Sequence, residues 1–354
     1  MGTPARQGLD RVALRADLRA AVPDATAALV VTAAVFAWLY ARVRSGESAT
    51  LAVMPFLADA NAYWMYWLCQ AFGWSALLWA WLTTMLGLLR SGTGPRWVPV
   101  AASRLERWHR TTSLTTIALM AAHAVLFFAE MIRTNEDGLG VAGRVWSAFV
   151  DTFVPGGYSS GTGRVAILLG LFALYLAIPL GLLYYFRASA GARLWRAVHR
   201  FVIVVYVLSV WHTLLYGTNV WFDGWPRTTL WALQLPVAGL LLARLLSPAR
   251  PGERLRRSGY TGVRAVLLRA AGLTVTMGAM LAVVAVLITG RDGGRTPGGE
   301  GAPLSVTPGM LWAGLAVFAV AVAVAIAVVQ RAERNPVQSS KPSRSAHSRS
   351  GSRE

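Results

Sequence analysis

Residues 104–133 read RLERWHRTTSLTTIALMAAHAVLFFAEMIR, and the rest of the chain is understood outward from them. The stretch exceeds the roughly 20 mostly apolar residues a helix needs to cross a bilayer. It carries two histidines, His109 and His123. An imidazole is costly in hydrocarbon and is kept there chiefly when it has a partner. Residues 194–219, LWRAVHRFVIVVYVLSVWHTLLYGTN, repeat the arrangement with His199 and His212. The fifth histidine, His347, lies in a polar tail. Four histidines placed as two spaced pairs in two spans require a chemical reason.

The composition agrees with a membrane setting. The 354 residues are 55% hydrophobic, with a mean hydropathy of +0.47, too apolar for a soluble protein. Eight candidate spans are readable, at 25–43, 68–90, 108–133, 164–186, 198–217, 228–247, 264–289 and 309–330. They predict an all-α polytopic helix bundle in four parts. A basic segment, 1–24, precedes a six-helix unit, 25–247. A basic loop and a two-helix accessory hairpin follow over 248–330, then a disordered Ser/Arg-rich tail over 331–354.

The net charge of +18 reports topology rather than nucleic-acid binding. With the N-terminus placed in the cytoplasm, the cytoplasmic segments hold 25 of the Arg and Lys residues, the external segments hold 8, and Arg269 falls in a span. That asymmetry is the positive-inside signature, with both termini cytoplasmic and a multi-pass placement in the plasma membrane. The first span, followed by seven more, is expected to be retained rather than cleaved. A single cysteine, Cys69, excludes an internal disulfide and any cysteine cluster.

Smaller features take their place on this frame. Arg6, Arg11, Arg15 and Arg19 alternate with apolar residues, which suits either a helix lying on the inner surface or a frayed basic end. Segment 134–163 is expected to be an external loop. Its PGGYSSGTG run lacks the lysine and the strand-to-helix setting of a phosphate loop and is read as turns.

Both histidine helices run in the same direction under this topology. Pairing across them gives an inner site, His109 with His199, and an outer site, His123 with His212. Fourteen residues at the helical rise separate the sites by about 21 Å. Neutral imidazole is a usual ligand of haem iron, and bundle cores are where such cofactors sit. A separation of 14 leaves His109 and His123 roughly 40° apart on one face, whereas the 13 between His199 and His212 leaves roughly 140°. The second helix therefore needs a local distortion. Arg107 and Arg110 bracket His109, and Arg196 and Arg200 bracket His199. They are candidate partners for anionic haem propionates, as well as ordinary inside-positive charge.

Residues 25–247 resemble the ferric reductase-like transmembrane domain. That family includes NADPH oxidases, ferric-chelate reductases and the haem subunit of periplasmic methionine sulfoxide reductase. It has six helices, with histidines spaced 13 or 14 apart in the third and fifth. The resemblance implies that His109, His123, His199 and His212 ligate two b-type haems. It further implies transfer of electrons from a cytoplasmic flavoprotein or membrane quinol to an external acceptor: a ferric chelate, oxygen or a partner protein. The alternatives are a non-catalytic relay subunit feeding a partner protein, a superoxide-forming oxidase-like subunit and a haem-free transporter or scaffold. The chain lacks a G-x-G-x-x-G following a strand, so no flavin or nicotinamide site is expected and the oxidoreductase role that the resemblance implies would need a separate donor.

Six weaker candidates accompany the two sites. Glu130, seven residues beyond His123, reads as an interfacial carboxylate, or else as a cation or proton site. Tyr206 and Trp211 are core aromatics that could shape an electron path. Tyr216 and Arg227 are candidate outer propionate partners, and Cys69 reads as an inert packed thiol.

Overall fold

The computed structural model describes residues 8–91, 100–134, 138–159, 163–190, 195, 199, 201–222 and 224–246, and their regular structure is helical throughout. Helix α1 spans Arg11–Ala20, α2 Val22–Arg44, α3 Trp64–Ser91 and α4 Ala102–Thr134. Helix α5 spans Val141–Phe153 and α6 Gly163–Leu182, the latter prolonged by a 3-10 turn at Leu183–Phe186 and a helical turn at Arg187–Ala190. Helix α7 spans Val202–Tyr216 and α8 Trp225–Leu246. Helices α2, α3, α4 and the run Gly163–Ser189 are each long and apolar enough to cross a membrane, and α7 is a shorter apolar helix. Helical structure thus occupies each of the first six expected spans. The expected hairpin within 264–330 and the tail lie outside the described residues.

The bundle is organised on α3, which packs against α2, α4, α7 and α8, while α6 pairs with α7. One apolar core joins Trp67, Leu57 and Val43 to Leu214, Val220 and Trp221. Lipid tails are as apolar as leucine, so burial drives helix association weakly here and polar contacts between helices carry specificity. Thr32 Oγ1 donates to Ser75 Oγ at 2.8 Å, tying α2 to α3. Thr83 and Thr116 meet at 3.1 Å between α3 and α4. Thr50 and Thr218 meet at 2.6 Å across the loops before α3 and after α7.

Asp24 concentrates the same device. It sits in the first turn of α2, where the helix dipole favours a carboxylate. It accepts from Trp79 Nε1 of α3 at 3.1 Å and from Thr115 Oγ1 of α4 at 2.5 Å. One carboxylate therefore fixes three helices.

Two segments resolve readings left open or missed by sequence. From Arg11 onward the basic N-terminal stretch is a docked helix: Asp10 caps α1 by accepting from the Ala13 amide at 3.0 Å, and its own amide donates to the Tyr185 carbonyl at 2.9 Å. Asp17 accepts from Tyr185 Oη at 3.0 Å and pairs with Arg110 Nε at 3.1 Å. The segment expected to be a loop between α4 and α6 contains α5. Its Ala148 and Thr152 face inward, while Val141, Val145, Trp146 and Phe149 are exposed. This is a helical amphipathic stripe, and its flanking glycines and interspersed Arg144 and Asp151 hid it. The following PGGYSSGTG run does turn, with Gly156 at φ +82°.

The distortion required by the 13-residue histidine spacing is also present. Helix α7 begins only at Val202, after His199, and the Val204 amide closes a tight three-residue turn onto the Phe201 carbonyl. A tight turn advances faster per residue than an α-helix, which reduces the angular mismatch.

Replacing Asp24 by alanine is expected to lower bundle stability by about 1–3 kcal/mol, since it orphans Trp79 Nε1 and leaves Thr115 Oγ1 only the Thr111 carbonyl of its own helix. Thermal unfolding in detergent would read this as a lowered midpoint. An unchanged midpoint would remove Asp24 from the packing account.

Candidate functional site

The four membrane histidines meet in two pairs. The rings of His109 on α4 and His199 have centroids 5.8 Å apart, at the end of the bundle that carries α1. Those of His123 on α4 and His212 on α7 lie 6.0 Å apart, toward the end that carries α5. Within each pair the ring planes are nearly perpendicular, at 85° and 75°.

Three of the four imidazoles are oriented by the main chain. The Nδ1 of His109 lies 2.9 Å from the Thr83 carbonyl oxygen, that of His123 2.8 Å from Cys69 O, and that of His212 2.7 Å from Ala166 O. A carbonyl only accepts, so each Nδ1 carries the proton and each Nε2 keeps a free lone pair. Fixing one ring nitrogen in this way is how proteins set the tautomer of a ligating histidine.

Each of these carbonyls stands four residues before a glycine: Cys69 before Gly73, Thr83 before Gly87, Ala166 before Gly170. The glycines are there for room. A Cβ at Gly73 would sit 3.0 Å from His123 Cε1, at Gly87 3.0 Å from His109 Cε1, and at Gly170 2.8 Å from His212 Nδ1. An α-helical carbonyl already accepts from the amide four residues on. With a bare glycine at that place the imidazole can approach the same oxygen from outside the helix. Gly73 and Gly87 repeat on α3 the 14-residue spacing of His123 and His109 on the antiparallel α4. The sequence reading missed them, although that matched spacing was a usable signal.

A cavity adjoins the His123–His212 pair, walled by Gly73, Met120, Gly170 and Leu174, with Glu130 and Thr152 nearer the α5 end. Glu130 is buried and accepts from Arg133 at 2.6 and 2.9 Å, while Arg133 also lies over the Tyr63 ring. Thr152 Oγ1 is buried with no hydrogen-bond partner among the described residues. Tyr216 stacks on His212 at 6.3 Å, and its hydroxyl meets that of Tyr158 at 3.3 Å. Cys69 Sγ lies 3.4 Å from His123 Nδ1, beside the carbonyl that orients it.

The remaining sequence candidates separate. Arg110 is engaged by Asp17 and Glu106, and its guanidinium donates to Tyr184 Oη at 3.0 Å. Arg107 is exposed. Arg196 and Arg200 lie outside the described residues. Tyr206 is buried, donating to Gln234 Oε1 at 2.9 Å, and Trp211 packs in the core around it. Arg227 is half-buried in the first turn of α8.

The pairs fit haem better than a bare ion. No group of three or more His, Cys, Asp or Glu able to hold a metal ion occurs among the described residues. Facing imidazole pairs would instead suit an iron that brings most of its own donors, as haem does. Two metal–imidazole bonds of about 2 Å each, plus the reach from each nitrogen to its ring centre, place the centroids roughly 6 Å apart.

Residues 72–210 match the model of a family described as ferric reductase like transmembrane component. The match runs from α3 into α7, takes in His109, His123 and His199, and ends two residues before His212. No curated protein and no solved structure matches the chain. The match and the apolar helices support a membrane protein, with a matched segment similar to the transmembrane component of ferric reductases.

Gly170→Val is expected to displace His212 from the Ala166 carbonyl and to lower the haem bound per chain by about half. Pyridine haemochrome assay against protein concentration measures it, and an unchanged ratio would show that the glycine is not needed.

Proposed function

We propose, for a ferric reductase-like segment built around two facing histidine pairs, a membrane di-haem b-type cytochrome that moves electrons across the bilayer. The observation that carries the reading is the shared geometry of His123, His109 and His212: Nδ1 committed to a main-chain carbonyl, Nε2 left free toward a facing imidazole. Held between such pairs, haem would supply a one-electron iron couple, chemistry that side chains alone lack.

The ligands of this reading are His109 with His199 and His123 with His212. Thr83, Cys69 and Ala166 orient three of the imidazoles, and the apolar walls around them keep water out. On the α1 side, Arg107, Arg110, Arg196 and Arg200 remain the proposed basic surroundings. Arg110 would act there as part of its ion-pair network with Asp17 and Glu106 rather than as a free cation.

The uneven distribution of Arg and Lys supports placing the α1 end in the cytoplasm of a plasma-membrane protein. In that orientation a separate flavoprotein or membrane quinol serves as donor at the His109–His199 end. An external acceptor takes electrons at the His123–His212 end, with ferric chelate the acceptor class suggested by the family description. The functional unit is residues 25–247, with the segment 248–330 as an accessory hairpin.

A reduced-minus-oxidised spectrum of the purified protein is expected to show low-spin b haem at about two per chain, falling by about half in His109→Ala or His212→Ala. Near-perpendicular imidazole planes should also give a strongly anisotropic low-spin electron paramagnetic resonance signal. A colourless protein expressed with ample haem would end this reading.

A further inference from the structure

Helix α5 is amphipathic the wrong way round for an aqueous surface. Its exposed residues are Val141, Ala142, Gly143, Val145, Trp146 and Phe149, all of them apolar. Arg144, Ser147 and Asp151 are half-buried and Thr152 is buried, and these centre on the other side of the helix, toward the bundle. A helix on a protein surface in water shows the opposite arrangement, with polar residues out and apolar residues in.

The C-terminal end of α5 reaches the depth of the His123–His212 pair. The Phe153 ring packs on Phe128 at 5.7 Å, and the Phe153 carbonyl accepts from Tyr175 Oη at 2.5 Å. Phe128 stands five residues beyond His123 on α4. Tyr175 stands nine residues beyond Ala166, whose carbonyl meets His212, on the antiparallel α6. The two contacts therefore bracket the pair, about 7.5 Å to one side and about 13.5 Å to the other along the helices. Phe153 is held between them.

The chain then doubles back. The Val154 and Gly157 amides close onto the Val150 and Val154 carbonyls at 3.1 and 2.9 Å. Pro155, between them, has no amide to satisfy. Gly156 takes φ +82°, and a Cβ at Gly157 would fall 2.1 Å from Val150 O, so the reversal depends on both glycines. Backbone polar groups met inside the segment are what a bilayer demands. Tyr158 then packs on Phe127 at 6.0 Å, and α6 starts at Gly163.

We propose that α5 and the turn after it form a re-entrant hairpin, which dips into the bilayer beside α4 and reverses at the level of His123 and His212, with lipid acyl chains covering Val145, Trp146 and Phe149. Lipid is the occupant because this face continues onto surfaces of the same kind. Val125 of α4 and Phe172, Leu176 and Ile178 of α6 are exposed on helices long and apolar enough to span a membrane. The inward face of the hairpin contributes Thr152 to the wall of the cavity beside His123 and His212. The hairpin thus stands between that cavity and lipid on this side. It requires only a membrane setting and is independent of the di-haem reading.

The test uses the full chain in lipid nanodiscs. Its single cysteine, Cys69, is buried, so the unaltered chain serves as the labelling blank. Val141→Cys, Val145→Cys, Phe149→Cys and Val154→Cys each receive a nitroxide. Relaxation of the label by oxygen, which partitions into lipid, is compared with relaxation by a neutral nickel chelate, which stays in water. The oxygen-to-nickel ratio should rise severalfold along the helix, from Val141 through Val145 to a maximum at Phe149 and Val154. Trp146→Cys reports the same turn as Val145→Cys, so a variant that fails to fold at one position leaves the other. A ratio low at every position would put the face in water. One equal at every position would lay α5 along the membrane surface. Shielding from both reagents would give the face to a second copy of this chain or to another protein. Each of these three results overturns the proposal.

Discussion

A neutral imidazole inside a membrane carries one N–H that must find an acceptor where there is no water to supply one. Leaving it unmet costs on the order of 1–3 kcal/mol. The protein meets this constraint with the one acceptor always at hand, the helical carbonyl, and makes the carbonyl reachable by omitting a side chain one turn further on. Cys69 with Gly73, Thr83 with Gly87 and Ala166 with Gly170 are three uses of that device. Helix α3 serves both histidines of α4 in this way, which explains why the two helices keep a common register along their length.

The other polar contacts keep this register from drifting. A shift of α3 against α4 by one residue would rotate Gly73 and Gly87 away from the imidazoles together. Thr83–Thr116 and the triple contact of Asp24 oppose such a shift with directional bonds that apolar packing in lipid does not provide. Helix α1 secures the same end from outside, since Asp17 reaches both Arg110 on α4 and Tyr185 at the end of α6. The two ends therefore differ in character: charged and networked beside His109 and His199, mostly aromatic and hydroxyl-bearing beside His123 and His212.

Pairs of ligands rather than clusters decide what the site can hold. Two imidazoles facing each other at about 6 Å leave the equatorial positions of any metal between them unfilled by protein. A haem would bring the remaining donors itself, so a pair of imidazoles would suffice to hold one.

Much of this was legible in the sequence. Hydropathy and length located the six helices through α8, because a bilayer permits little else. The 14-residue repeat placed His109 and His123 on one face, and the awkward 13-residue repeat announced a distortion that the turn at Phe201 supplies. The matched spacing of Gly73 and Gly87 was present in the sequence as well, but glycine in a membrane helix has many uses and spacing alone does not say what it faces. Tertiary structure decided the rest: that α1 docks on Arg110, that α5 is an amphipathic helix at the cavity end, and that Cys69 lends its carbonyl to a histidine. The physical reason is the same in each case. Periodicity along one chain fixes which face a residue occupies, whereas the acceptor it meets lies on another helix, at a register set only when the helices pack.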